Sequence, residues 1–145
     1  GQGAVGRRTL EIAQSKSALP MRDAFLLGVF ANVLVCLAVW LCLAARTVTD
    51  KVLAIVPPIT AFVAAGFEHS IANMYFLPAG LFVKTWAPAS FWSSAGVAEG
   101  SYPDVTWGRL VANLVPVTLG NIVGGAVLVG LVYWFVYGHR RPSEG

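Results

Sequence analysis

The sequence predicts an all-α membrane protein with three transmembrane segments, of which the middle one is a broken helix. Two properties of its composition indicate a membrane: 57% of the 145 residues are hydrophobic and only 12% are charged. A soluble domain carries about 25% charged residues. The third observation is the distribution of charged and polar residues along the chain. Long stretches lack charge, and one long apolar segment has a polar interruption near its centre.

The first and last spans are predicted from uncharged stretches. About 20 helical residues cross a hydrocarbon core about 30 Å thick. No charged residue lies between Asp23 and Arg46, and none lies between Arg109 and His139. The predicted boundaries are 24–45 and 109–138 for these spans, 46–51 for a polar turn, 1–22 for a lead-in (a loop or a short amphipathic segment) and 139–145 for a tail.

The middle segment, residues 52–83, is too long for one straight crossing. As a continuous helix it would extend about 48 Å, roughly half again the hydrocarbon thickness. Gly66, Glu68 and His69 interrupt it near its centre, and the prolines at 57, 58 and 78 disfavour a regular helix on either side. We therefore expect a broken helix. Its non-helical backbone would lie at membrane depth, which is tolerated only inside protein or beside a wet cavity.

Two further patterns concern how the spans are placed and packed. The loop 84–108 is rich in aromatic residues of the kind found at headgroup level, and Ser90 to Ala95 is a candidate short interfacial helix. These aromatic residues are Trp86, Trp92, Tyr102 and Trp107. The third span has glycines that favour close helix packing, namely Gly120, Gly124, Gly125 and Gly130.

His69 and Glu68 are the main candidates for chemistry, because ionisable residues at membrane depth are functional by default. A half-helix that begins near Ser70 would present backbone N–H groups and a partial positive charge, which favour an anion. His69 could donate a hydrogen bond, or supply a proton to a weak acid in transit. The alternative is that both side chains only satisfy the broken backbone, with Glu68 orienting His69 or pairing with a base.

Four other residues have an interpretation from position alone. Asn32 and Asn121 lie in apolar runs, where an amide either bonds between helices or lines a pore with its N–H donors. Phe62, one turn before the interruption, suits packing or a hydrophobic gate. Lys16 lies outside the spans and by itself suits a solvated loop charge.

The run from Gly66 to Met74, followed by Leu77-Pro78 and Gly80, resembles the second-repeat signature of the formate/nitrite transporter family. The similarity includes the stretches 32–40 and 116–125 and extends from about residue 16 to 138. It is strongest to the formate channels. The resemblance implies an aquaporin-like fold of six spans in two inverted repeats, with spans two and five broken. This chain would be the second repeat, and five protomers would assemble, each with its own pore.

The same resemblance assigns roles to the candidate residues. It implies that His69 lines the pore with Glu68 beside it, that Phe62 forms a constriction, and that Lys16 attracts or positions the anion. It implies polar pore contacts for Asn32 and Asn121. The resemblance also implies cytoplasmic termini. The balance of basic residues leaves orientation ambiguous, with six on the N-terminal side and four on the other. The C-terminus is therefore expected in the cytoplasm of the inner (plasma) membrane, with residues 1–22 on the opposite side.

The sequence-based prediction is transport of formate or a related small monovalent anion, with proton coupling at His69 as a hypothesis. Expected partners are formate, protons, lipid and, for full-length chains, a homopentamer. Nucleic acid is not expected because no basic face with interleaved aromatics occurs. No enzyme activity, cofactor or metal is predicted. Because the chain starts at Gly1 and lacks the first repeat, we expect a fragment or one half of a larger product.

Three alternatives remain at this stage. A truncated, non-conducting fragment would only pack in an assembly. A channel of the same family could select nitrite, hydrosulfide or lactate. A haem-binding membrane anchor needs axial ligands inside the spans, and only His69 qualifies.

Overall fold

The computed structural model describes residues 3–138, and within this range every regular element is a helix. The helices are α1 (Ala4–Ser17), α2 (Met21–Ala44), α3 (Val48–Ala64), α4 (Ser70–Trp86), α5 (Ala89–Ala95), α6 (Trp107–Ile122) and α7 (Val132–Gly138). A π-helical segment, Val123–Leu131, joins α6 to α7, and a short 3-10 helix, Glu99–Ser101, precedes α6. The predicted tail, residues 139–145, lies outside the described residues.

Two of the described helices are long and apolar enough to cross a membrane. They are Met21–Ala44, with a mean hydropathy of 2.6, and Trp107–Gly138, with 2.0. These ranges include the predicted first and third spans except for Ala45. By length and composition alone, they agree with a membrane protein.

The predicted segment 52–83 corresponds to two helices of 17 residues each, α3 and α4, separated by residues 65–69. Helix α3 begins earlier than predicted, because Thr47 and Asp50 form a capping box. The Asp50 N–H donates to Thr47 Oγ1, and the Thr47 N–H donates to Asp50 Oδ2, both at 3.1 Å. These bonds satisfy N–H groups at the helix start. Hydrogen bonds to the Asp50 carboxyl from the Thr47 side chain and then from the Thr47 backbone N–H lower the pKa of that carboxyl. The polar turn therefore ends at Thr47.

The prolines do not interrupt the helices where the sequence led us to expect it. Pro57 and Pro58 lie inside α3, and Pro78 lies inside α4. Membrane helices tolerate proline because neighbouring groups and local adjustments satisfy the freed carbonyls. The helices are interrupted at Gly66 instead.

The described residues form two compact units: residues 3–24 with 70–116, and residues 25–69 with 117–138. In the first unit α1 packs against α4, and Gly80 is necessary there because a Cβ would overlap the side chain of Ala13. The lead-in is thus a helix rather than a loop. The core of the unit consists of Leu10, Ala13, Leu77, Leu81, Trp92, Tyr102, Val105 and Leu110.

Trp92 and Tyr102 were predicted to anchor the 84–108 loop at the headgroups, but both are buried in this core. Their rings fill space beneath α1 and α4, which amphipathic aromatics do as readily as they occupy an interface. Trp86 and Trp107 are exposed, as an interfacial position requires. The predicted short helix is present as α5.

In the second unit, α2 and α6 approach closely along a glycine face. A Cβ at Gly120 would overlap the carbonyl oxygen of Phe25, and one at Gly124 would overlap that of Val29. Gly125 faces the Asn32 amide. Gly130 was predicted on the same face, but its nearest neighbour is the Gly125 carbonyl of its own helical stretch. Three of the four glycines therefore permit the close packing.

We expect Gly120→Ala to destabilise the protein by about 1–3 kcal/mol, because the methyl group would force two helix backbones apart. Thermal unfolding of the purified protein in detergent checks this. Gly100→Ala is the matched control, since no atom lies within 4 Å of a Cβ at that position. Equal midpoints for the two variants would show that α2 and α6 do not pack through Gly120.

Candidate functional site

The turn formed by residues 65–69, here the 65–69 turn, begins with a glycine-dependent helix stop. Gly66 has φ of +69°, a left-handed conformation that costs other residues about 1–2 kcal/mol. The Gly66 N–H donates to the Val63 carbonyl and the Phe67 N–H donates to the Phe62 carbonyl, both at 3.1 Å. This pair of bonds is a Schellman motif, which satisfies the last carbonyls of α3. The chain then leaves the helix at Phe67.

The backbone of Glu68 is held from both sides by other helices of the second unit. Its N–H donates to the Leu27 carbonyl of α2 at 3.3 Å. Its carbonyl accepts a bond from Nδ2 of Asn121 on α6 at 3.1 Å. Glu68 itself is 4% exposed. Both backbone groups of this residue therefore have partners within the protein. A non-helical segment inside a membrane requires such partners because no water is available there.

Asn121 uses both of its amide hydrogens on backbone carbonyls. Besides Glu68, Nδ2 donates to the carbonyl of Gly28 at 2.8 Å. An amide nitrogen has only two hydrogens, so Nδ2 has none left for an ion in this arrangement. Gly28 makes the approach feasible, because a Cβ there would lie 2.8 Å from the Val117 carbonyl oxygen.

Asn32 supports Asn121 from α2. Its Nδ2 donates to the backbone carbonyl of Asn121 at 2.6 Å. Asn121 lies just before the π-helical segment, and such segments shift the backbone hydrogen-bond register by one residue and occur frequently at functional sites. Gly125 leaves room for Asn32, since a Cβ at that position would overlap the amide. Of the two interpretations left open by the sequence, both asparagines fit the interhelical one.

Aromatic rings flank the 65–69 turn. The ring of Phe62 lies 6.2 Å from that of His69, centroid to centroid, with 49° between their planes. Phe67 stacks on Phe30 of α2 at 5.7 Å. His69 is half-buried. Backbone hydrogen bonds fix the 65–69 turn, and the Phe62 ring lies beside the imidazole of His69. This arrangement is suited to hold the polar imidazole in a fixed position next to an apolar ring.

Five of the six candidate residues thus belong to the second unit, where the structure brings together Asn32, Phe62, Glu68, His69 and Asn121. Lys16 belongs to the first unit, in the last turn of α1. It is half-buried, and its ammonium lies 5.9 Å from the centre of the Phe76 ring. Lys16 is therefore not the solvated loop charge that position alone suggested.

Some of the residues that hold these groups were not predicted from the sequence. The carbonyls of Leu27 and Gly28 carry no side-chain signal and could not be found. Asn73 and Asn113, both buried, were not chosen as site residues. Each is an amide in an apolar run, the same signal that selected Asn32 and Asn121, and that signal could have found them.

A sequence model described as Formate/nitrite transporter matches residues 1–135. The chain belongs to the formate/nitrite transporter family. It is thus a member of a family of membrane transporters, which agrees with its two long apolar helices and with the predicted absence of enzyme activity.

Several family members are similar to this chain. The formate channel FocA of Escherichia coli K12 is 43% identical over 136 residues, which are 93% of this chain and 48% of that protein. A probable formate transporter of Methanothermobacter thermautotrophicus is 44% identical over 121 residues, 83% of this chain and 37% of that protein. The matched residues thus cover less than half the length of each of these two curated relatives.

A solved structure described as a pentameric formate channel with formate bound superposes with a TM-score of 0.86 and 46% identity. The match covers 91% of this chain and 52% of that one. A structure described as an FNT family ion channel gives a TM-score of 0.68 and 32% identity, with 88% and 45% covered. Both support the helical fold of the family.

Replacing Asn121 with leucine should loosen the 65–69 turn, because the Glu68 carbonyl loses its donor. A buried polar group left without a partner costs about 1–3 kcal/mol. Hydrogen–deuterium exchange of the protein in nanodiscs should become faster in peptides covering residues 62–72. Thr118→Val, on the same helix but outside this network, is the control. Equal exchange in the two variants would contradict the role assigned to Asn121.

Proposed function

We propose that this chain forms one half of a pore for small monovalent anions, with formate as the first candidate. The observation that carries the proposal is the 65–69 turn, in which a non-helical backbone between two apolar helices presents His69. The names of the relatives support formate as the substrate, since FocA is described as a formate channel and the superposed pentamer holds formate. The half-length match supports a second, equivalent portion in the complete pore.

In the proposed arrangement the pair α3 and α4 is one broken span of an aquaporin-like half. Each helix of 17 residues is about 26 Å long, so together they exceed one hydrocarbon thickness. The 65–69 turn then lies at membrane depth. Its internal bonds to Leu27 and Asn121 support that placement, because a turn exposed to water has no need of them.

The proposed mechanism addresses the cost of removing water from the ion. A bare carboxylate in an apolar constriction is very costly. Phe62, beside His69, would form that constriction. His69 offers an N–H donor to the anion, or a proton that converts formate to neutral formic acid before it passes the phenyl ring. Glu68 stands next to His69 in the chain and would orient it.

The remaining candidate residues act before or around this step. Lys16 would attract the anion on the side opposite the cytoplasm. Asn121 and Asn32 would hold the 65–69 turn, which is an indirect contribution to the pore.

We further propose that complete protomers assemble as a homopentamer in the inner membrane with cytoplasmic termini, as the superposed pentamer and the family resemblance suggest.

Nitrite is the second candidate substrate, because the family is described by both anions. Nitrite, like formate, is a small monovalent oxyanion that a histidine donor and an apolar ring would treat similarly. Uptake of both anions, measured in parallel, separates the two candidates.

The hypothesis of a non-conducting fragment is tested by flux through vesicles that contain only residues 1–145.

We expect formate uptake by the protein from its complete coding region, reconstituted in vesicles, to rise as pH falls. The imidazole gains a proton as pH falls and then donates it to the carboxylate. His69→Asn keeps an N–H donor but cannot titrate, so its uptake should no longer respond to pH, whether or not some flux persists. Initial uptake rates between about pH 5 and 8 check this, across the usual range of histidine titration.

His69→Phe is the companion variant, because it removes the donor as well and should abolish anion flux. The proton-donor role is excluded if wild type and His69→Asn share the same pH dependence. In that event His69 would only help to hold the helix interruption.

A further inference from the structure

A second buried amide network occurs in the first unit, and none of the roles proposed above uses it. Nδ2 of Asn73, on α4, donates to Oδ1 of Asn113 on α6 at 2.8 Å. Nδ2 of Asn113 donates in turn to the backbone carbonyl of Lys16 at 2.9 Å. Asn73 is 0% exposed and Asn113 is 3% exposed. The network therefore links α4, α6 and the end of α1 without water.

The orientation of the Asn113 amide is fixed by its two partners. Because Asn73 supplies an N–H, the oxygen of Asn113 faces α4 and its nitrogen faces α1. The carbonyls in the last turn of a helix have no intrahelical donor, and Lys16 lies in that turn of α1. Its carbonyl also accepts the Leu19 N–H, but at the longer distance of 3.3 Å. Asn113 thus provides the shorter of these two bonds.

The same residue, Lys16, carries the ammonium group that lies over Phe76. Its backbone is held by Asn113 and its side chain is held against α4. A shift of the last turn of α1 would move both groups together. The Asn113 amide is therefore one of the groups that fix the end of α1, which carries this positive charge.

We infer that Asn113 is a positioning residue for the Lys16 ammonium. The inference rests on the proposed function, in which Lys16 attracts the anion. Asn113 does not touch the anion; it acts through the backbone of Lys16. Without its amide, the end of α1 loses its link to α6 and the ammonium is less well fixed, so the attraction weakens.

The test compares four variants of the protein from its complete coding region, reconstituted in vesicles. Asn113→Leu removes both bonds at nearly constant volume, Lys16→Met removes the charge, and the double variant combines them. Gln14→Leu is the control. It removes the bonds of 2.7 Å and 3.1 Å between Gln14 and Asp104, which also fix α1 but do not pass through Lys16.

The measurement is initial formate uptake at low substrate concentration in about 20 mM and about 500 mM potassium sulfate, which changes the screening length severalfold. Wild-type uptake should fall severalfold in high salt, since attraction by a fixed charge is screened. Lys16→Met should be slower in low salt and nearly independent of salt. Asn113→Leu should resemble it, and the double variant should be no slower than Lys16→Met. Gln14→Leu should keep the wild-type salt response.

The inference is overturned if Asn113→Leu keeps the wild-type salt response, or slows uptake by the same factor with and without Lys16. If Lys16→Met behaves like wild type at both salt concentrations, the proposed role of Lys16 fails as well. The two failures are therefore distinguishable. Asn113→Ser, whose hydroxyl is too short for both bonds but keeps the site polar, provides the same comparison if the leucine variant does not assemble.

Discussion

The structure of the candidate site depends on one requirement, which is that the backbone of the 65–69 turn must find hydrogen-bond partners within the protein. The Schellman motif at Gly66 satisfies the end of α3. Leu27 and Asn121 then satisfy Glu68 from α2 and α6. If these bonds were absent, a non-helical segment between apolar helices would cost several kcal/mol for each unsatisfied group. The place of His69 in the second unit follows from them.

Buried asparagines perform corresponding tasks in the two units. In the second unit, Asn121 donates to two backbone carbonyls and is itself supported by Asn32. In the first, Asn113 donates to the end of α1 and accepts from Asn73. An amide suits this task because it donates and accepts in opposite directions without adding a buried charge. In both units these amides bond to backbone carbonyls of other segments, and in the proposed pore the charged and aromatic side chains are the groups left to meet the anion.

Much of this arrangement could be predicted from the sequence, because polarity in an apolar run is a strong signal. This signal identified both long helices and the interruption at Gly66, whereas the role of His69 stays a prediction. Prediction from the sequence failed for features that depend on which residues are neighbours in three dimensions. Prolines lie inside α3 and α4, and Trp92 and Tyr102 belong to a core to which α1 contributes Leu10 and Ala13. The exact use of the Asn121 hydrogens could not be predicted either, since it depends on carbonyls of Gly28 and Glu68 that are distant in sequence.

The most direct test of the account is a density map of the complete assembly in nanodiscs with formate bound, at a resolution that places side-chain amides. We expect Nδ2 of Asn121 to remain bonded to the carbonyls of Gly28 and Glu68 while formate lies beside His69. Those bonds should have the lengths seen here, 2.8 and 3.1 Å. A map in which the Asn121 amide turns to bind formate, with the Glu68 carbonyl bonded elsewhere, would contradict it.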